Sequence, residues 1–464
     1  MNNLKNIFWL ALCFVTLNGN SQITFEKLYS NSLKQIGVQG IQFDSGYLIS
    51  TKIDNCGLCN GYIQYIRIDE FGDTIRTFNI PNFGSEQGPV ETLYMSDHHL
   101  VIAADNTNGL NNQVTLINSD TLGNVSWNYT LTDSVYDYHA SSMIQTDSSF
   151  LITGAKSFPS SPELTRSFLL SISKNGNFNW VKTFGDPFIN FATGLREQNN
   201  NTFITGSMYD TVDQRVQPFA LIVDTAGNVN QFREIKIMFE AAPTGITGDD
   251  LSNYIYGYTI DSLLNANSIL IKLDSNLDTV WTSILDQGRF ETAESGIINN
   301  VGEIILTTSS TTAGTNGDVL LCKYDSTGNI LFVKTIAGFD NESYGSSLVQ
   351  TQDQGFLMVT TSYNNLNYPS VVAYKTDSSG DFITAIASPV RSTFGIYPNP
   401  SNGVFHLDND SQILKIEIFN LQGNKLKQFG ESRIDMTEYE NGIYIYKAYL
   451  STDKVVFGKL IKKD

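Results

Sequence analysis

Asp120-Thr121-Leu122-Gly123-Asn124-Val125-Ser126-Trp127 is a turn set between two runs of strand-forming residues, and the same turn returns along the chain. It recurs as Asp69-Glu70-Phe71-Gly72-Asp73, Ser173-Lys174-Asn175-Gly176-Asn177, Asp224-Thr225-Ala226-Gly227-Asn228, Asp274-Ser275-Asn276-Leu277-Asp278, Asp325-Ser326-Thr327-Gly328-Asn329 and Asp377-Ser378-Ser379-Gly380-Asp381. Successive copies lie 51, 53, 51, 50, 51 and 52 residues apart. Aspartate at the first position accepts nearby backbone N–H groups. Glycine at the fourth takes the left-handed conformation that a tight bulged hairpin requires. A second hairpin precedes each turn, as in Ser347 to Thr361 around Asp353-Gln354-Gly355, so each period predicts four strands. A four-stranded unit of this length cannot bury both of its faces alone. Seven such units stacked radially protect one another, which predicts an all-β, seven-bladed β-propeller over residues 22–388.

Tryptophan supplies an independent register. Trp127, Trp180 and Trp281 each follow the fourth turn position by four residues, and Phe332 takes that place in another repeat. Large aromatics at one equivalent place are expected to pack between blades. Thr24 to Tyr29 and Asp381 to Ala387 both read as outer strands, one more than seven blades need, and the N-terminal one is the expected ring closer.

Composition agrees with this architecture and narrows the function. The 464 residues exceed what one compact core carries, and 41% are hydrophobic. The formal charge of −18 is uneven: residues 394–464 hold nine basic and nine acidic groups, and residues 22–393 hold 19 basic against 38 acidic. So acidic a surface repels phosphate backbones and anionic lipids, and neither nucleic acid nor peripheral membrane binding is expected.

Residues 1–21 combine Lys5, an apolar run from Ile7 to Leu17 and a small polar stretch, the layout of a signal peptide. The run is too short to span a bilayer, no transmembrane segment is expected, and Cys13 lies inside the run rather than behind a lipobox. Cys56 and Cys59 are expected to form a small local disulfide or to stay as free thiols. No second ligand pair stands near enough in sequence for zinc, so no metal is expected. Cys322, in an apolar strand, is expected to be packed.

The pattern Asp-x-x-Gly-x-x-x-Trp resembles the repeat of quinoprotein-like β-propellers, in which the aromatic docks between blades. Only Asp120 to Trp127 carries it complete, and Arg76, Gln231 and Thr384 replace the aromatic elsewhere. The resemblance supports the fold and implies no cofactor. Sialidase-type Asp boxes are similar, but place Asp and Gly two apart rather than three.

After a linker at 389–393 the pattern changes. Tyr397-Pro398-Asn399-Pro400 opens the new segment, the turn Asn420-Leu421-Gln422-Gly423-Asn424 follows, and then Gly442-Ile443-Tyr444 and a basic end. Residues 394–464 resemble the type A C-terminal sorting domain of the Bacteroidota type IX secretion system. Pro398, Asn399, Pro400, Gly423, Gly442 and Tyr444 carry the likeness. It implies a small β-sandwich that engages the secretion machinery, with the protein then secreted or held at the outer cell surface.

The remaining candidates lie on the propeller face that bears the variable connections, such as those at 54–62, 157–166, 209–218 and 363–369. Phe158, Tyr209, Tyr363 and Tyr368 offer aromatic contact surface, and Asp186, Asp286, Glu291, Glu294, Asp340 and Glu342 form an acidic rim. No nucleophile elbow, P-loop or metal-binding helix occurs. A binding or adhesion module for glycan or protein is the first expectation. A glycan-active hydrolase or lyase that uses paired rim carboxylates is the second.

Overall fold

The computed structural model describes residues 22–463 except 31–32, 55–60, 108–110, 186–188, 211, 213, 289, 312–316, 337–341, 364–367, 383–395, 408–412, 421–423, 431–432 and 451–454. Cys56, Cys59, Asp186, Asp340, Gly423 and the expected signal peptide and linker lie outside the described residues. The chain divides into two compact units, Met1–Ile383 and Thr384–Asp464.

The first unit holds seven four-stranded antiparallel sheets, and no helix occurs among the described residues. In the first blade the order from the axis outward is Lys34–Phe43, Gly46–Asp54, Tyr62–Ile68 and Thr74–Asn79. The inner strands of the next six blades are Glu86–Tyr94, Asp137–Gln145, Asn190–Gln198, Ala241–Gly248, Phe290–Ile298 and Glu342–Gln350. Each inner strand contacts the next, and Lys34–Phe43 contacts Glu342–Gln350, so the ring closes at seven.

The seventh blade takes its outer strand from the chain start. Phe25–Tyr29 pairs with Ser370–Thr376 in the register Phe25↔Lys375 to Tyr29↔Val371. Tyr29 Oη also donates to Gly72 O in the first blade at 2.8 Å. The second outer-strand candidate contributes no strand at Asp381 and Phe382, and its remainder lies outside the described residues.

Burial sits between blades. Ile41, Leu48 and Tyr65 of the first blade meet Leu100, Ile102 and Ile117 of the second. Ile49, Ile66 and Ile68 on the other side meet Leu357, Val359 and Val371 of the seventh. Both faces of a middle strand are therefore apolar, because each faces a neighbouring sheet across a packed layer.

The recurring turns close as their composition requires. Asp120 Oδ1 accepts from Leu122 N and Asn124 N, both at 2.8 Å, and Gly123 has φ +91°. The fourth turn position of each blade lies against the outer strand of the blade before it. A Cβ on Gly176 would meet Trp127 at 2.6 Å, one on Gly227 would meet Trp180 at 2.6 Å, and one on Gly328 would meet Trp281 at 2.8 Å. Glycine and tryptophan thus belong to one interlock across two blades. Where Gln231 replaces the tryptophan, the facing turn carries Leu277 in place of glycine, fully buried at φ +59°. Leu277 fills the space that an indole takes elsewhere, and accepts a left-handed backbone to do so.

One expectation needs correction. The connections at 157–166 and 209–218 are shorter than expected, because strands Ser149–Phe158 and Ser161–Ser173, and Asn201–Asp210 and Arg215–Val223, extend as paired hairpins beyond the blade. His139 lies inside the inner strand Asp137–Gln145 of the third blade.

The second unit contains a three-stranded sheet, Ile396–Tyr397, Val404–Leu407 and Arg433–Asp435. Its second sheet orders Lys425–Phe429, Ile413–Phe419, Gly442–Leu450 and Val455–Lys462. Phe405 and Ile434 from one sheet and Ile416, Ile418, Tyr446 and Leu460 from the other share one core, which is the arrangement of a small sandwich.

Candidate functional site

An inner propeller strand pairs on one side only, so its other edge presents backbone N–H groups to the axis that need partners. In this ring each inner strand also carries an irregularity near its middle: Val38, Val90, Ser141, Thr193, Thr244 and Glu294 are the extra residues of bulges in the first six blades. In the first, second, sixth and seventh blades the residue after this irregularity reaches to the next blade. Gln39 Oε1 accepts from Thr92 N at 2.7 Å, Glu91 Oε2 from Met143 N at 2.5 Å, and Ser295 Oγ from Leu348 N at 3.2 Å. Ser347 Oγ closes the circle by accepting from Gly40 N at 2.8 Å.

In the fifth blade this place is Gly245, and the acceptor comes from the second strand instead. Tyr256 Oη accepts from Gly296 N. A Cβ on Gly245 would sit 2.3 Å from Tyr256 Oη, so the glycine is what admits the tyrosine.

The strands enclose an axial cavity of about 530 Å³, lined by residues of all seven blades. Two carboxyl groups stand in its wall. Glu91 is walled by protein away from the channel, and this burial pushes its carboxyl up to about 7 although Met143 N and Ser142 Oγ donate to it. Glu294 is likewise pushed up to about 7 by burial, with Ser309 Oγ donating at 3.0 Å. Low dielectric penalises the charged form, and one or two hydrogen bonds do not offset that penalty.

The expected acidic rim is therefore not a rim at these positions. Glu294 lines the axial cavity and Glu291 is fully buried, receiving Ser310 Oγ at 3.2 Å. Asp286 stays at the surface and accepts from Gly288 N. Glu91 was missed as a candidate: its only sequence signal is its place one repeat after Gln39 and one before Ser142.

The aromatic candidates do not converge. Phe158 stacks edge-on against Tyr136 at 5.9 Å, Tyr209 ends a strand of the fourth blade, and Tyr363 and Tyr368 flank the connection of the seventh. The last three are exposed. Larger apolar exposure occurs on the same face over the fourth to sixth blades: Val212, Met238, Phe239, Leu263, Leu264 and Phe290. Leu263 and Leu264 form the tip of a hairpin whose Asp261 Oδ1 accepts from Leu263 N and Asn265 N. Leu264 has φ +66° and is 78% exposed, a conformation and a side chain that local stability disfavours together.

In the second unit, the sequence positions divide sharply. Asn399 clamps the opening segment onto the last strand: its Nδ2 donates to Lys459 O and its Oδ1 accepts from Ile461 N, both at 2.8 Å. Tyr444 is buried and donates to Glu440 O at 2.6 Å. Pro398 and Pro400 bracket that clamp, whereas a Cβ on Gly442 would touch nothing within 4 Å.

Residues 395–463 match the family described as the secretion system C-terminal sorting domain. The protein is accordingly exported by the type IX secretion system to the cell surface or extracellular space. No curated protein sequence matches the chain. Among solved structures, the propeller domain of the Trilobed protease from Pyrococcus furiosus is 10% identical with a TM-score of 0.44, over 78% of this chain and 98% of that one. A polysaccharide lyase described as a family PL25 ulvan lyase is 9% identical with a TM-score of 0.49, over 76% and 96%. An α-L-arabinanase from Penicillium chrysogenum is 11% identical with a TM-score of 0.44, over 62% and 92%. At such identities these likenesses concern the fold and not the activity.

Proposed function

We propose that this exported propeller is a surface or secreted binding module, which recognises an extracellular protein or glycan through the face that bears its hairpin tips. The observation that carries this reading is the pair Leu263 and Leu264, 79% and 78% exposed at a hairpin tip, with Leu264 held in a left-handed turn. A fold gains nothing from displaying two leucines on a strained tip, whereas a partner that covers them gains apolar burial. Val212 and Met238, 84% and 80% exposed on the neighbouring blade, extend the same surface.

A second reading has its own observation: Glu91 and Glu294 line one cavity with carboxyls near neutrality, the property of a general acid in glycan cleavage. Glu91, however, already serves as the tether between the second and third blades, as Gln39 does between the first and second. Two measurements on the mature chain separate the readings: binding to arrayed glycans and immobilised extracellular proteins, and a hydrolysis and lyase screen. Binding that is lost in Leu264→Asn, without turnover, supports recognition. Turnover that is lost in Glu294→Gln refutes it in favour of the enzyme.

A further inference from the structure

We infer that a cleft over the first three blades is a binding site for a neutral saccharide, one or two sugar units in length. The inference rests on the reading of the hairpin face as the recognition surface, and it concerns a different part of that face from the apolar tips. The cleft measures about 310 Å³, near the lower end of the ~300–1,000 Å³ range of small-molecule sites. It exists because Gly88, on the inner strand of the second blade, has no side chain. A Cβ there would meet Lys52 Cδ at 2.9 Å.

The lining is polar and fixed. Lys52 Nζ pairs with Glu86 Oε1 at 2.5 Å, and His139 Nδ1 meets Asp105 Oδ2 at 3.3 Å. Asp105 is held in turn by Ala140 N, which donates to its Oδ1 at 2.7 Å. The hydrogen bond that the His139 ring donates to the Asp105 carboxylate holds the imidazole above its ordinary value. Asn106 is 3% exposed and lines the same cleft; its Nδ2 is engaged by Thr115 Oγ1, but its Oδ1 has no partner among the described residues.

These groups select by charge and by hydrogen-bond type. Two carboxylates, an ammonium and an imidazole set acceptors and donors side by side with little net charge. An anionic ligand would face Glu86 and Asp105, and a cation would face Lys52 and His139. Hydroxyl groups both donate and accept, so a neutral polyhydroxyl ring satisfies all four. Such a site adds specificity for a glycan end.

The test uses the mature chain with D-glucose, D-galactose, D-mannose, L-rhamnose and their disaccharides, by calorimetry and by the imidazole NMR signal of His139. D-glucuronate and glucose 6-phosphate serve as charged probes. The expected result is that at least one neutral sugar binds and moves the His139 signal. Gly88→Val and Lys52→Met each weaken that binding at least tenfold with the folding transition retained. Tighter binding of the charged probes overturns the neutral class. Neutral-sugar binding that neither cleft variant alters overturns the site while the hairpin face remains the recognition surface. Binding of an extracellular protein that Leu264→Asn abolishes, with no sugar bound, has the same meaning. Loss of both kinds of binding overturns the cleft and the recognition reading together.

Discussion

Replacing Glu91 by glutamine tests whether the axial carboxyl is a tether that carries a protonation cost. In the native chain its ordinary value of 4.5 is raised to about 7, chiefly by burial. Between those values the folded state holds a proton that the unfolded state has released. Stability is therefore fully present below about pH 4.5, falls as pH rises towards 7, and stays lost above. At about 1.4 kcal/mol per pH unit the ceiling is roughly 3.4 kcal/mol, and water in the open channel reduces it to about 1–3 kcal/mol. Glutamine keeps the acceptor for Met143 N, as Gln39 does for Thr92 N one blade earlier, but cannot ionise. Urea unfolding of the wild-type chain and Glu91→Gln at pH 5, 6, 7 and 8 isolates this group, since Glu294 titrates in both proteins. The variant is expected to match wild type at pH 5 and to exceed it by about 1–3 kcal/mol at pH 8. A stability difference that does not change with pH would refute the argument. A variant less stable at every pH would show that the carboxylate itself is required.

The interlock between blades predicts a compensating pair: Gln231→Trp alone should cost about 1–3 kcal/mol by overpacking against Leu277, and adding Leu277→Gly should restore much of it, as a double-mutant cycle in thermal unfolding would record. Gly245→Ala should expel Tyr256 Oη from Gly296 N and cost about 1–3 kcal/mol, whereas Tyr256→Phe, which loses only the hydroxyl, should cost about 0.5–1.5 kcal/mol; equal losses would contradict the proposed fit. Removal of Phe25–Tyr29 should leave Ser370–Thr376 as an open edge, with a lower unfolding midpoint and association by light scattering as the measured outcome. In the sorting unit, Asn399→Ala removes two hydrogen bonds to the last strand and should speed hydrogen exchange at Ile461, with a fall in the secreted fraction of the protein.

What the sequence determined by itself was whatever depends on local chemistry repeated at a fixed interval. Asp120 and Gly123 specify their turn through bonds that span four residues, so seven copies revealed the blade count, and Trp127, Trp180 and Trp281 marked the register. The order of Asn399, Gly423 and Tyr444 along the chain likewise marks the sorting unit. What required the tertiary structure was everything made by residues distant in sequence. Phe25 finds Lys375 only when the ring closes, and Glu91 acquires its raised carboxyl only because the assembled blades bury it, against the hydrogen bonds that Met143 N and Ser142 Oγ of the next blade donate. The cleft depends on Lys52, Asp105 and His139, from three blades, meeting above Gly88. Burial and electrostatics sum over neighbours in space, and a turn motif reports only neighbours along the chain.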